Sequence, residues 1–423
     1  VTMHGKYRHA GPKSTQYNEL EKMINQYYEM LQRKRHEHAK RFAVNIRKTV
    51  LLNGCPEDDI IAETNANASN NHQQNGQQQN GQPGDVSGRR LLTRIGRALP
   101  TMRRVEDTLR GKLWRLVLGV GNLDANNYKN QIKKAESQDY YVKIRGDTKR
   151  TFLTSEEYNS RVSEERLVRV LNSFAHRYSK PYCQGMDAIA AGLLYVMPEL
   201  DAFHSFSLLI NSHFPTYFYS DKTRKKDLIG AYAGSYLSWD ILKICDYEIF
   251  NHLSSLPPYL YLFPLVASFQ AISQPFTELQ RLWDFLFCFG VHLNPILAIA
   301  QIIVNKKLIL SQQPARLVQG ILSQRKWMNG RLNAKCVIEQ SMNIIQLLKS
   351  KTKYKKLWIQ LSKHSNDFNI AQQIKIEHTH GVKYGQITTA HLNDNDNNTT
   401  VDKDDINDDD IGEIIDNNDK TEE

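Results

Sequence analysis

Cysteine is scarce in this 423-residue sequence: Cys55, Cys183, Cys245, Cys288 and Cys336 are far apart, odd in number and form no CxxC pair. That excludes a disulfide framework and a cysteine zinc site, and it fits a reducing, cytoplasmic setting. Long apolar runs are missing too. The longest, 188–197 and 296–304, reach about half of the roughly 18 residues that a membrane span requires. No short apolar core follows a basic start, so no secretory signal is expected. The sequence opens on Val1 instead of Met, and the native start is expected upstream. No GxxxxGK[ST] loop occurs, so the chain does not read as a nucleotide hydrolase in its own right. A GxSxG elbow, an HExxH helix, zinc-finger spacing and RNP-type aromatic strands are equally absent, which removes the usual hydrolase, metalloprotease and nucleic-acid readings. No metal site is expected: His378 and His380 have no third ligand nearby and read as surface histidines, while His204 and His213 read as packing or rim residues.

What is present is a globular composition, 40% hydrophobic and 24% charged. The net charge of +10 hides an asymmetry. Residues 393–423 hold thirteen acids and two lysines, a net of −11, which leaves +21 on the remainder (10 + 11). A basic body is compatible with nucleic acid, an acidic membrane surface or an acidic protein partner. Twelve of the 21 residues of 64–84 are Asn or Gln, too polar a segment to offset the entropy of ordering, so it reads as a linker. The acidic tail reads as disordered for the same reason. Two basic runs flank the linker. RKRHEHAKR at 33–41 is either a nuclear-import or anionic-surface patch or the solvated face of a basic helix. Arg89, Arg90, Arg94, Arg97, Arg103 and Arg104 interleave with Leu91, Leu92, Ile95 and Leu99, in a segment that either docks on a partner or a membrane or packs as the first helix of the folded domain.

The ordered part has helical signals throughout. Residues 17–48 show apolar positions three and four apart. Ser163 with Glu164 and Glu165 starts a helix whose apolar face is Leu167, Val170, Leu171, Phe174 and Tyr178. The run 188–197 is apolar on every side and should be central, with Pro198 stopping it. Further helices are expected at 201–214, 228–253, 263–271, 277–289 and 295–310. Neither period-two alternation nor an Asn-Gly hairpin appears. The expectation is an all-α protein in four parts: a basic helical segment 1–62, an Asn/Gln-rich linker 63–88, a folded domain 89–365, and an extension 366–423 ending in the acidic tail. Residues 1–88 and the tail are expected to be dispensable for activity.

Two short segments combine unusual residues: Ile144-Arg-Gly-Asp147-Thr-Lys-Arg150 and Tyr182-Cys-Gln184-Gly185-Met186. Alone, Arg150 is one of several cations beside Lys143, Arg145 and Lys149, and Gln184 is an ordinary amide. Their context is more specific. Leu109-Arg110-Gly-Lys-Leu-Trp114 precedes them, and Arg281-Leu-Trp283-Asp284 running to Gly290 follows. This ordered set resembles the TBC family of GTPase-activating proteins, whose pattern is LRGxxW, IxxDxxR, YxQGM and a later WD segment ending in Gly. The resemblance covers about 108–310.

The resemblance implies a two-lobed helical TBC (Rab-GAP-TBC) domain that supplies catalytic residues in trans to a separate small GTPase of Ras or Rab type. On it, Arg150 is an arginine finger and Gln184 a second finger that positions water. Ile144, Asp147, Tyr182 and Gly185 support them, and Arg110, Trp114, Trp283 and Asp284 are structural. No cofactor of the chain's own is implied, because GTP and Mg²⁺ belong to the GTPase. A guanidinium suits phosphate oxygens by its planar, permanently charged fork, and an amide can accept from water while donating to phosphate. Asp147 either orients Arg150 or is a turn residue. Where Rab-directed members carry a tryptophan-rich stretch, this chain reads Tyr259-Leu-Tyr-Leu-Phe-Pro264. That stretch and the run 281–302 are similar to the mitotic-exit, spindle-checkpoint branch, which implies a scaffold subunit and a spindle-pole location. A Rab activator in membrane traffic and a non-catalytic scaffold are the alternatives.

Overall fold

The computed structural model describes residues 15–33, 36–53, 55, 108–121, 123–134, 140–178, 180–218, 228–273, 275–316 and 332–381. The Asn/Gln-rich stretch, the second basic run and the acidic tail lie outside the described residues. All regular structure among the described residues is helical. Two helices, α1 (Thr15–Gln32) and α2 (His36–Asn53), come first. A group follows: α3 (Leu109–Leu118), α4 (Ala125–Ile132), α5 (Tyr141–Thr148), α6 (Glu156–Arg161), α7 (Glu164–Tyr178), α8 (Met186–Val196) and α9 (Glu199–Leu208). The remainder are α10 (Ile229–Cys245), α11 (Tyr247–Leu253), α12 (Leu262–Ala267), α13 (Phe276–Phe289), α14 (Asn294–Val304), α15 (Lys306–Leu310), α16 (Ala334–Ser350), α17 (Lys355–Lys363) and α18 (Phe368–Gly381).

Packing sorts them into two groups. In the first, α7 and α8 lie together, with α4 and α5 against α7 and α9 against both. In the second, α10 packs on α12, α14 and α18, and α16 packs on α14. Helix α13 joins the groups, touching α3 and α2 on one side and α16 on the other. The start of α7 follows from its sequence: the Ser163 carbonyl accepts from the Arg166 and Leu167 N–H groups, and Glu164 and Glu165 place negative charge on the first turn. Its expected apolar face is buried at Leu167, Val170, Leu171 and Phe174.

Helix α8 is buried along almost its whole length, as an all-apolar helix requires. Gly192 is what lets it approach α13. A Cβ there would lie 1.9 Å from Cζ3 of Trp283, an indole that is fully buried and donates to the Phe269 carbonyl at 2.8 Å. The motif residues Arg110, Trp114 and Asp284 form a separate buried node. Arg110 Nε donates to both carboxylate oxygens of Asp284, at 3.1 and 3.2 Å, and Trp114 Nε1 donates to the same group at 2.7 Å. This node clamps α3 onto α13.

Three boundaries differ from those read in the sequence. The helical pattern of 17–48 is two helices packed on each other, and their apolar residues face the body instead of standing apart. Leu20, Ile24 and Ile46 are fully buried, Glu21 pairs with Lys112 at 3.3 Å, and the Cys55 carbonyl accepts from Arg110 at 3.3 Å. The pattern of 228–253 breaks at Asp246, whose carboxylate caps the Ile249 N–H and pairs with Lys306. Beyond residue 365, α18 packs along α10; there His378 Nε2 lies 3.0 Å from the Asp240 carboxylate and its ring stacks on Tyr236.

Candidate functional site

The segments that carry Arg150 and Gln184 meet at one open groove of about 540 Å³, edged by Lys143, Gly146, Asp147, Arg150, Tyr182, Gln184 and Leu228. Helix α5 brings the first segment there. Ile144, fully buried, anchors its inner face, and Arg145 pairs with Glu164 of α7 at 2.8 Å. The Asp147 carbonyl then accepts the N–H groups of Arg150 and Thr151, which ends the helix in a tight turn. Phe152 reverses the chain with φ +48°, a left-handed conformation that costs a bulky residue about 1–3 kcal/mol. Its ring, packed between Tyr158 and Phe276, holds it in that conformation. Arg150 is thereby left projecting, with 62% of its side chain exposed.

Gln184 is exposed in the turn that leads into α8. Gly185 follows at φ +96°, and a Cβ there would lie 3.4 Å from the Ala267 carbonyl. Glycine is therefore required for its backbone angle, with little room to spare. Leu228, at φ +51°, lines the groove from the second group of helices.

Behind both loops is a buried polar cluster. Arg150 donates to Asp147 Oδ1 at 2.5 Å, so Asp147 both closes the turn and holds the guanidinium. The Tyr182 hydroxyl has one proton to give and stands 2.8 Å from Asp147 Oδ2 and 3.1 Å from Asp187 Oδ1. Burial first, then the negative charges of Asp187 and Asp147, raise the Tyr182 pKa and keep that proton in place. Asp187 Oδ1 also accepts the Gly185 N–H at 3.0 Å, and its Oδ2 accepts from the Thr151 hydroxyl at 2.7 Å.

All six finger and supporting residues expected here, Ile144, Asp147, Arg150, Tyr182, Gln184 and Gly185, lie at the groove or directly beneath it. Arg110, Trp114, Trp283 and Asp284 do not reach it. Asp187 and Thr151 were not singled out as site residues by the sequence. The available signal was a carboxylate opening a helix, Met186–Val196, that is otherwise wholly apolar.

Residues 107–310 match the Rab-GTPase-TBC domain family. Over 244 residues the chain is 35% identical to a Dictyostelium discoideum protein named putative mitotic check point protein BUB2, covering 57% of this chain and 63% of that one. It is 29% identical over 211 residues to cell division control protein 16 of Schizosaccharomyces pombe, covering 49% and 68%. It is 32% identical over 196 residues to mitotic check point protein BUB2 of Saccharomyces cerevisiae, covering 42% and 62%. The chain thus spans just under two thirds of the Dictyostelium and budding-yeast relatives. The stretch 107–310, which holds both the groove and the Arg110–Asp284 node, matches the Rab-GTPase-TBC domain.

Proposed function

We propose that this chain is a GTPase-activating protein that inserts Arg150 and Gln184 into the active site of a separate small GTPase of Ras or Rab type. One observation carries the reading. An exposed arginine and an exposed glutamine, from segments more than thirty residues apart, edge the same groove and are backed by one buried network. Arg150 neutralises charge that develops between the β- and γ-phosphates, and Gln184 orients the attacking water. A finger of this kind is worth roughly 10³ to 10⁵ in rate, or about 4 to 7 kcal/mol. The nucleotide and its Mg²⁺ arrive with the GTPase, which agrees with the absence of a phosphate-binding loop from this sequence. The names of the Dictyostelium and yeast relatives support a role in mitotic checkpoint or cell-division control. The mitotic-exit branch that the sequence resembles implies a scaffold subunit as partner and the spindle pole as a site of action.

The test is GTP hydrolysis by a panel of purified Ras- and Rab-type GTPases with the full chain added, alone and with a scaffold subunit. Arg150→Ala and Arg150→Lys abolish stimulation while binding persists, because a lysine keeps the charge but not the fork. Gln184→Leu lowers the rate as well. Wild-type stimulation by Arg150→Ala removes the finger mechanism. Binding without stimulation by the wild-type chain favours the scaffold reading, and stimulation confined to Rab proteins of membrane traffic replaces the checkpoint assignment.

A further inference from the structure

Asp187 faces three donors on two loops of the chain, and its two oxygens divide them. Oδ2 takes the Thr151 hydroxyl, one residue after Arg150. Oδ1 takes the Gly185 N–H, one residue after Gln184, and lies within reach of the Tyr182 hydroxyl, two residues before it. Each oxygen therefore serves one of the two loops. The Thr151 hydroxyl is also 2.9 Å from the Asp147 carbonyl, the group that closes the Arg150 turn. Thr151, Tyr182 and Asp187 are all at least nine-tenths buried, at 7%, 6% and 8% exposure.

The chemistry bears on why a carboxylate stands here. These donors are neutral, so burying the charge costs more than burying an amide would. An asparagine would suffice if the residue merely capped the start of α8. It could not accept on both sides at once: its NH₂ group would face either the Gly185 N–H, a donor against a donor, or Thr151, whose hydroxyl would have to reverse. Only a carboxylate accepts from both loops simultaneously.

From this we infer that Asp187 is a positioning residue that registers the Arg150 loop against the Gln184 loop, with Thr151 and Tyr182 as its contacts. It touches neither GTP nor the partner. It fixes the spacing at which two fingers reach one phosphate and one water. This inference rests on the activator reading of the same groove, and it adds that the two fingers form one unit.

Thr151→Val tests it with the smallest disturbance, since the side chain keeps its shape and loses only the hydroxyl. In full-length chain acting on a GTPase that the wild type stimulates, Thr151→Val and Asp187→Asn each lower kcat about 10-fold or more, with KM within about 2-fold, because misplacement by a fraction of an ångström affects the rate and not docking. Thr151→Ser restores the rate. In a Gln184→Ala background, which keeps residual stimulation, Thr151→Val costs less than about 2-fold further, as residues acting through one unit are non-additive. A wild-type kcat for Thr151→Val, or the same fold loss in every background, overturns the inference and leaves the activator reading intact. If the wild-type chain stimulates no GTPase, that reading fails by itself, and amide exchange then decides the coupling. Asp187→Asn accelerates exchange at Thr151 and at Gly185 together; acceleration on one loop alone overturns the inference.

Discussion

The Asp147 carboxylate holds Arg150 and Tyr182 on its two separate oxygens, at 2.5 and 2.8 Å. The arginine remains largely in solvent while its partner is buried. A guanidinium tethered at one edge keeps its other N–H groups directed outward. Asp147 thus limits where the finger points without burying it. Asp147→Asn leaves one acceptor oxygen for two donors, and Asp147→Ala leaves none. The expected losses in kcat are about 10-fold and about 100-fold, with KM nearly unchanged, since the Asp147 side chain edges the groove with only 12% of its surface exposed. Steady-state phosphate release at saturating GTPase measures both. A rise in KM at constant kcat would show that Asp147 meets the partner directly.

Two large apolar side chains flank the finger in solvent. Val142 is 78% exposed on α5 and Leu153 is 66% exposed just past Arg150. Isolated exposed apolar residues are ordinary, but these two flank the Arg150 segment in sequence, next to Lys143 and close to Lys149. Burial against a partner is worth about 1.5–3 kcal/mol for each such side chain. Val142→Asp and Leu153→Asp are therefore expected to raise KM by roughly 10- to 100-fold with kcat at saturation retained. Unchanged KM in both variants would place the docking face elsewhere on the domain.

Local periodicity made α7, α8 and α13 legible, because burial of one helical face leaves a spacing of three and four in the sequence. The breaks inside longer patterns were not legible. Residues 228–253 read as one helix, yet the Asp246 side chain caps a new one, and its Lys306 partner lies sixty residues on. The site was legible only as a set of motifs. What turns the motifs into a groove is a contact between Thr151 and Asp187, thirty-six residues apart, and the clamp from Arg110 to Asp284 is longer still at 174. No local pattern encodes such pairs, although a lone acid at the head of an apolar helix marked one end.

A buried histidine and a half-buried one give opposite responses to pH. Burial pushes His364 down to about 4, against the pull of the Leu361 carbonyl at 2.7 Å; the ring is neutral and its Nε2 accepts from Tyr217 at 2.9 Å. Its folded pKa lies below the unfolded value of 6.5, so the unfolded chain takes up the proton first. Stability falls as pH drops from 6.5 toward 4, by about 2 kcal/mol at pH 5. His378 is depressed by burial, but the hydrogen bond and charge of Asp240 outweigh that and raise its pKa. Its contribution is complete below the unfolded pKa and is lost as pH rises through the folded one. Urea titrations of wild type, His364→Gln and His378→Gln separate the two. His364→Gln flattens the acid limb, and His378→Gln destabilises more at pH 6 than at pH 8.

The N-terminal helices supply the last prediction: they stabilise the domain even where activity does not need them. Leu20, Ile24 and Ile46 are fully buried, α1 lies on α3, and α2 lies on α13. Deleting residues 1–56 removes these side chains and exposes the surfaces they cover on the two helices that the Arg110–Asp284 node holds together. Three such burials are worth about 4–9 kcal/mol as an upper estimate. Deletion also takes away the Cys55 carbonyl from Arg110 and Glu21 from Lys112. The Arg110 guanidinium keeps its paired bonds to Asp284, so the node should survive while its surroundings loosen. The truncated chain is expected to melt at least several degrees lower and to bind a hydrophobic dye that the full chain excludes. Its groove, built mainly from the Arg150 and Gln184 segments with Leu228 beside them, should still stimulate hydrolysis at temperatures where it stays folded. An unchanged melting temperature would mean that α1 and α2 rest on the domain without stabilising it.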